Sequence, residues 1–144
     1  MTDQEFQNGI GVLLERVNTR QPGTLLGMLR SRLVRCSAAE LTAEFAYPAQ
    51  DWEANPFGNL SGGVIATAID CATGCLMYAV ADGKKPVTVS LQVSYLRAAP
   101  LSGELHVRAH ITKVGRSLVF AEAACWSSED PEKLTATASV IYDR

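Results

Sequence analysis

Apolar residues along the chain follow a helical period in two segments. In residues 3–18 they recur at helical spacing, and in residues 62–81 they do so again but cover most of the helix circumference. The first pattern predicts a short amphipathic helix and the second a long helix that is largely buried. The apolar positions of the first segment are Phe6, Ile10, Leu13, Leu14 and Val17.

Most other apolar residues alternate with polar ones, which is typical of half-buried antiparallel strands. Two strands are predicted before the long helix, joined as a hairpin, and four after it, separated by turns that contain Gly, Ser or Pro. The predicted strands span residues 31–37, 40–48, 87–95, 105–111, 116–126 and 133–143.

The strand at residues 87–95 shows this alternation over its whole length. Val87, Val89 and Leu91 are predicted to face one way, and Thr88 and Ser90 the other. One long apolar helix beside an antiparallel sheet is best buried when the sheet wraps around the helix. The predicted fold class is therefore α+β, and the order of elements matches the hotdog fold.

Composition limits the size, partners and location of the protein. The 144 residues predict one domain, residues 1–144, with an N-terminal helix at about 3–18 and a core at about 30–142. A hydrophobic fraction of 47% beside 19% charged residues predicts a subunit interface. A net charge of −2 with scattered basic residues argues against a nucleic-acid partner.

The N-terminal sequence lacks the pattern of a signal peptide, and a charge interrupts the longest apolar segment. We therefore expect a cytoplasmic protein that does not span the membrane. The four cysteines lack the spacing of a metal site or a disulfide framework. They are interpreted as reduced thiols, with Cys71 and Cys75 as small core residues.

Asp70 is the only charged or histidine residue between Glu53 and Asp82. It could be structural, with the hydroxyl of Thr67 or Thr73 as its partner. An unpartnered carboxylate in apolar surroundings costs on the order of several kcal/mol, and burial makes a carboxylate a stronger base. The position of Asp70 therefore also fits a general base or a carboxylate nucleophile.

The start of the long helix offers a second chemical group. Ser61 is predicted to cap the helix with its hydroxyl, and Leu60 and Ile65 occupy the positions of a hydrophobic staple. The amides of Gly62 and Gly63 fall in the first turn, where they have no intrahelical acceptor and the helix dipole is positive. A glycine amide can approach a carbonyl oxygen closely, so this turn is a candidate oxyanion site.

The distance between these two groups bears on the quaternary structure. Gly62 and Asp70 lie eight residues apart, which is about 12 Å along a helix that rises ~1.5 Å per residue. The two groups of one chain therefore cannot both contact one carbonyl carbon. If they share a site, Gly62 of one subunit meets Asp70 of another across a two-fold pair of antiparallel helices. This chemistry predicts an obligate homodimer.

The segment that holds these groups resembles the motif of hotdog-fold acyl-CoA thioesterases of the phenylacetate-degradation (PaaI) and 4-hydroxybenzoyl-CoA thioesterase type. In the motif an Asn, a Gly and a His-Gly-Gly triplet precede an apolar run that ends at an Asp. The resemblance continues through the strands after the helix and covers roughly residues 50–142. The matching residues, with the family's spacing, are Asn55, Gly58, Ser61, Gly62, Gly63 and Asp70.

The resemblance implies that Asp70 is the catalytic carboxylate, which activates water or attacks the thioester carbonyl. Asn55 would orient substrate or water, and the amides of Gly62 and Gly63 would polarise the thioester oxygen. Thr88 lies where some relatives place a hydroxyl near the lytic water. The family's sites lie at dimer interfaces, and many members pair dimers into tetramers. No metal or redox cofactor is implied, and CoA enters only as part of the substrate.

Two positions depart from the family pattern. Ser61 stands where the family usually has His, and Ser90 where an Asp is frequent. The missing imidazole removes a hydrogen-bonding group beside the oxyanion site, which bears on rate and substrate range. At the start of the long helix and on the strand after it, the predicted substrate-binding residues are Ser61, Gly63 and Thr88.

Charged residues outside the motif are weaker candidates. Arg97, Lys113 and Arg116 lie at predicted strand ends, where they could pair with the phosphates of CoA or be solvated. His106 and His110 share one face of a strand. We interpret them as surface residues, because no Cys or carboxylate completes a metal-ligand pattern.

The leading hypothesis is hydrolysis of a small or medium acyl-CoA to free acid and CoA, through Asp70 at a dimer interface. The alternative is an acyl-CoA-binding hotdog protein without turnover. A hydratase or dehydratase ranks last, because that chemistry normally uses a catalytic His, which the long helix lacks. The acyl group accepted depends on which of Trp52, Phe57, Tyr78 and Leu91 line the pocket, and the linear sequence leaves this open.

Overall fold

One antiparallel sheet and one long central helix make up most of the computed structural model, which describes residues 1–144. The helices are α1 (Asp3–Arg20), α2 (Leu25–Leu29) and α3 (Gly62–Val80), with a 3₁₀ turn at Asp51–Glu53. The strands are β1 (Arg32–Ser37), β2 (Thr42–Pro48), β3 (Val87–Tyr95), β4 (Glu104–Val114), β5 (Leu118–Ser127) and β6 (Leu134–Asp143).

The six strands lie in the order β1-β2-β4-β5-β6-β3, and every neighbouring pair is antiparallel. Helix α3 packs against β2 to β6. The predicted α+β hotdog fold is confirmed, including the hairpin of β1 and β2 and the four strands after the long helix. The alternation predicted for β4 also holds, since its buried residues are Leu105, Val107, Ala109 and Ile111.

Helix α1 packs against β1 and α3. Thr2 caps it through reciprocal hydrogen bonds with Glu5, and all five apolar residues predicted for its inner face are buried. Helix α2 was not predicted, because five residues are too few to show a helical period. Thr24 caps its N-terminus, since the Thr24 hydroxyl accepts a hydrogen bond from the Gly27 amide at 3.3 Å.

Helix α3 begins after Ser61, as predicted, and both staple residues, Leu60 and Ile65, are buried. The predicted side-chain cap is wrong, because the Ser61 hydroxyl makes no capping hydrogen bond. The backbone starts the helix instead: the Ser61 carbonyl accepts from the Ile65 amide at 3.1 Å, and the Ser61 amide donates to the Glu53 carbonyl at 2.8 Å. The amides of the first turn are therefore not satisfied by Ser61.

The length and hydropathy of α3 would also suit a membrane-crossing helix, a criterion that core helices of globular proteins meet as well. In this fold α3 is the core helix. Its buried residues are Ile65, Ala68, Ile69, Ala72, Thr73, Cys75, Leu76 and Met77.

Strand β3 lies at the edge of the sheet and pairs only with β6. The uniform alternation predicted for it is wrong, because a bulge between Thr88 and Ser90 leaves Val89 without a partner in β6. The bulge places Thr88 opposite the buried Tyr142, on the inner face of the sheet. Val87 and Val89 are exposed by 62% and 57% instead of facing the core.

Candidate active site

Asp70 lies in the middle of α3 with its carboxylate held by two hydroxyl groups. Thr88 Oγ1 donates to Asp70 Oδ1 at 2.7 Å, and the Tyr142 hydroxyl lies 3.2 Å from the same oxygen. Asp70 is partly buried. The sheet thus supplies hydrogen-bond donors that the apolar helix itself does not. Asp70 Oδ2 has no hydrogen-bond partner in the chain.

The two threonines considered as helix partners of Asp70 bond elsewhere. Thr67 Oγ1 donates to the Gly63 carbonyl at 2.8 Å, and Thr73 Oγ1 lies 2.9 Å from the Ile69 carbonyl. Both follow the habit of a helical threonine, which bonds back to the preceding turn. The structural alternative therefore does not account for the carboxylate through these residues.

The partners of Asp70 come from β3 and β6, which pair Thr88 with Tyr142. Residues paired across antiparallel strands project on the same face, so both hydroxyls reach α3 together. Thr88 was predicted as a site residue from the family resemblance, whereas Tyr142 was not predicted. The only sequence signal for Tyr142 is its inward position in the alternation of the last strand.

A cleft of about 320 Å³ opens beside the Asp70 carboxylate. Gly74, one turn further along α3, lines it, so no side chain from that position projects into the cleft. Tyr78, one further turn along α3, also lines the cleft, and the Arg16 guanidinium lies 5.6 Å from the centre of its ring. The other lining residues are Leu13, Leu26, Cys71, Cys75, Lys85, Pro86, Thr88 and Tyr142.

Two cysteines in the cleft are apolar lining. Burial raises the pKa of the Cys71 and Cys75 thiols to about 12. Both thiols are therefore protonated at neutral pH, whereas a cysteine nucleophile must react as the thiolate. Asp70 is the one carboxylate that lines this cleft.

The first turn of α3 presents two free amides. Neither the Gly62 nor the Gly63 N–H donates a hydrogen bond within the chain. The Gly62 carbonyl accepts from the Tyr95 hydroxyl at 2.5 Å, which ties the edge strand to the helix start. Because Gly62 and Asp70 are both in α3, the separation of about 12 Å along the axis applies, and one chain does not bring them together.

Asn55 organises the loop before α3. Its Oδ1 accepts from the amides of Phe57 at 2.9 Å and Asn59 at 3.0 Å. Gly58 adopts a φ of +80° in this loop, a conformation that favours glycine. The amide oxygen of Asn55 is thus engaged in the loop, and only its NH₂ group is left for a substrate or water.

The other basic candidates lie on the surface. Arg97 and Arg116 are exposed, and Arg97 Nε donates to the Leu134 carbonyl at 3.0 Å. Their predicted contact with phosphates stays a prediction.

The two histidines project from the face of β4 that points away from α3. His106 Nδ1 lies 3.0 Å from Glu44 Oε1 and its ring stacks on Trp126, while His110 Nδ1 lies 3.3 Å from Glu122 Oε1. Neither belongs to a cluster of three or more potential metal ligands. Both histidines therefore lie outside the cleft.

Comparisons with known proteins identify the family and the fold. A model of the thioesterase superfamily matches residues 57–141. The chain is 28% identical over 106 residues to mouse acyl-coenzyme A thioesterase 13, an alignment that covers 74% of each protein.

Solved structures share the fold. A phenylacetic acid degradation-related thioesterase of Ralstonia eutropha superposes with a TM-score of 0.81 and 28% identity, over 95% of this chain and 100% of the other. The Escherichia coli PaaI protein superposes with a TM-score of 0.79 at 15% identity, over 100% and 96%. The family match spans α3, the loop residue Gly58, strands β3 to β5 and most of β6. The chain is thus a member of the thioesterase superfamily, a thioester hydrolase built on the hotdog fold.

Proposed function

We propose that the protein hydrolyses acyl-CoA thioesters, with Asp70 as general base or nucleophile, at a site shared by two subunits. The observation that carries this proposal is the Asp70 carboxylate, which opens on a cleft while two hydroxyls hold one of its oxygens. A carboxylate with one free oxygen can accept a proton from water or attack a thioester carbonyl directly. Either route ends in a free acid and the CoA thiol.

The lining of the cleft suits the acyl group of the substrate, which would be the part that enters the protein. Beyond Asp70 its lining consists mainly of apolar groups from α1, α2 and α3, among them Leu13, Leu26 and Tyr78. An acyl chain or aryl ring would lie along α3 over Gly74, with its thioester carbonyl at Asp70. The length of this path, about two helical turns from Asp70 to Tyr78, suits a small or medium acyl group.

The reaction needs a group that stabilises the oxyanion formed when the thioester carbonyl is attacked. The free amides of Gly62 and Gly63 have the required chemistry, but those of the same chain are too far from Asp70. The proposal therefore places the Gly62 amide of a second subunit opposite Asp70. Asn55, in the loop just before, would hold the water or substrate through its NH₂ group.

The surface around β3 supports association of two copies. The outer edge of β3 has no partner strand, and exposed edges are ready to pair with another chain. Exposed apolar side chains lie on this strand and on the loop before α3, including Tyr95 at 51% and Phe57 at 87%. A monomer rarely exposes such a group of residues without a partner. A homodimer through β3 would cover them, and a further pairing of dimers stays a prediction, as does the cytoplasmic location.

A panel of aryl and alkyl CoA thioesters of graded length, assayed by release of free thiol, tests the proposed reaction. We expect turnover of at least one short or medium member and a steep fall for long chains, because the cleft has a volume of only about 320 Å³. Binding of the same thioesters should be measured in parallel. If the protein binds members of the panel without hydrolysing any, it is an acyl-CoA-binding protein and the proposed reaction is wrong.

The cysteines affect how this assay is read. Burial raises the pKa of Cys71, Cys75 and Cys125 to about 12, so their thiolate fraction at pH 8 is very small. We expect a chromogenic disulfide reagent at pH 8 to titrate only Cys36 in the folded protein and all four cysteines after denaturation. Rapid titration of more than one thiol in the folded protein would contradict the raised pKa values of these three cysteines.

A further inference from the structure

The Tyr142 hydroxyl contacts Asp70 at two points and Thr73 at a third. It lies 3.2 Å from Asp70 Oδ1, 3.0 Å from the Asp70 backbone carbonyl and 2.6 Å from Thr73 Oγ1. The side chain is 2% exposed and projects from the last strand, far in sequence from α3. A buried tyrosine that only fills space does not need its hydroxyl at a carboxylate.

The hydrogens of this cluster can be counted. The Tyr142 hydroxyl has one hydrogen, and the Thr73 hydroxyl has one. The Thr73 hydrogen has two acceptors within reach, the Ile69 carbonyl at 2.9 Å and the Tyr142 hydroxyl at 2.6 Å. When it goes to Tyr142, the hydrogen of Tyr142 is free to donate to Asp70, whose backbone carbonyl and Oδ1 lie at 3.0 Å and 3.2 Å. A donor facing an ionised carboxylate makes a stronger, charge-assisted hydrogen bond, which favours this arrangement. Burial raises the pKa of Tyr142, so the phenol stays protonated and remains a donor.

The two side chains that donate hydrogen bonds to the Asp70 carboxylate both donate to the same oxygen. Thr88 Oγ1 and the Tyr142 hydroxyl both approach Oδ1, and Oδ2 has no partner in the chain. A carboxylate bound in this way cannot rotate freely about its last bond. Its free oxygen is therefore presented in a fixed direction, which is what attack on a carbonyl or on a water requires.

We propose that Tyr142 is a positioning residue, which together with Thr88 holds Oδ1 of Asp70 so that Oδ2 is the oxygen that reacts. This inference rests on the proposed function, because it assigns a direction to the carboxylate that the proposed function uses. It concerns the rate of the chemical step and not the binding of the substrate, since the hydroxyl of Tyr142 is engaged with Asp70 and Thr73.

The test compares two buried tyrosines. Tyr47 and Tyr142 are both 2% exposed, and the Tyr47 hydroxyl has no hydrogen-bond partner. Tyr142→Phe and Tyr47→Phe thus make the same chemical change in the same core. We expect Tyr142→Phe to lower kcat by about 10- to 100-fold with KM changed less than about twofold, because misplacement of a reacting group mainly slows the chemical step. Tyr47→Phe should leave both constants at the wild-type values.

The outcomes separate this inference from the proposed function. If Asp70→Asn is inactive and Tyr142→Phe behaves like Tyr47→Phe, the positioning role is overturned while the function stands. If Asp70→Asn keeps full activity, the proposed function itself is wrong. Circular dichroism and a thermal melt check that each variant is folded. Should Tyr142→Phe not fold, Thr88→Val removes the other donor to Oδ1 at an exposed position, and an unchanged kcat there also overturns the inference.

Discussion

The Asp70→Asn variant is expected to lose hydrolysis, with kcat lowered by about 1,000-fold or more, because an amide neither accepts the proton of water nor attacks a thioester as a carboxylate does. The fold should persist. Asn keeps the size of Asp and an oxygen that can accept from Thr88 and Tyr142. Thioester binding should therefore be retained, which binding of a non-hydrolysable CoA thioether can measure beside kcat.

Asp82→Asn is the matched control for this variant. Asp82 follows α3 at a φ of 49°, and it is exposed. Asn tolerates this left-handed conformation well, so the same chemical change is made at the end of the same helix without strain. Wild-type kcat is expected. Equal activity of the Asp70→Asn and wild-type proteins would show that the carboxylate does not take part in hydrolysis.

The sequence predicted the parts of the fold that depend on local periodicity. The residues of α3 form one uninterrupted helical pattern, and the same is true of the inner face of α1, so both helices were found with ends close to the observed ones. Asp70 was identified because a lone charge in such a pattern is conspicuous. Helix α2, at five residues, has no period to detect.

The environment of Asp70 could not be predicted in the same way. Its donors depend on the pairing of β3 with β6 and on a bulge at Val89, and neither is encoded in the neighbourhood of α3. A bulge shifts the pleat by one residue, so Thr88 reached the inner face against the simple alternation. The resemblance to known thioesterases gave Thr88 but not Tyr142, because it assigned no residue of the last strand to the site.

The expected effect of Gly62→Pro follows from the position of this residue at the start of α3. Proline lacks the N–H and is favoured at the first position of a helix. The preceding Ser61 already has a φ of −61° and a ψ of 138°, the conformation that a following proline requires. The variant therefore removes the proposed oxyanion donor while the helix can still form. We expect kcat to fall by about 100- to 1,000-fold, the usual loss for one oxyanion donor.

Gly62→Ala is the control, since it adds a methyl group but keeps the N–H. A Cβ atom at Gly62 would lie 3.3 Å from the ring of Tyr95, a side chain that is half exposed and can shift slightly. We expect Gly62→Ala to retain most of the wild-type kcat. Equal losses in both variants would mean that the added atoms, and not the missing N–H, cause the effect.

A mixture of the two inactive proteins tests whether Gly62 and Asp70 act across subunits. When Asp70→Asn and Gly62→Pro chains exchange freely at equal amounts, half of the dimers contain one of each. In such a dimer one site combines the intact Asp70 of one chain with the intact Gly62 of the other, and the second site carries both changes. Activity should therefore recover to about a quarter of the wild-type level. No recovery, with exchange verified by differently tagged chains, would place both groups of each site in one subunit and contradict the shared site.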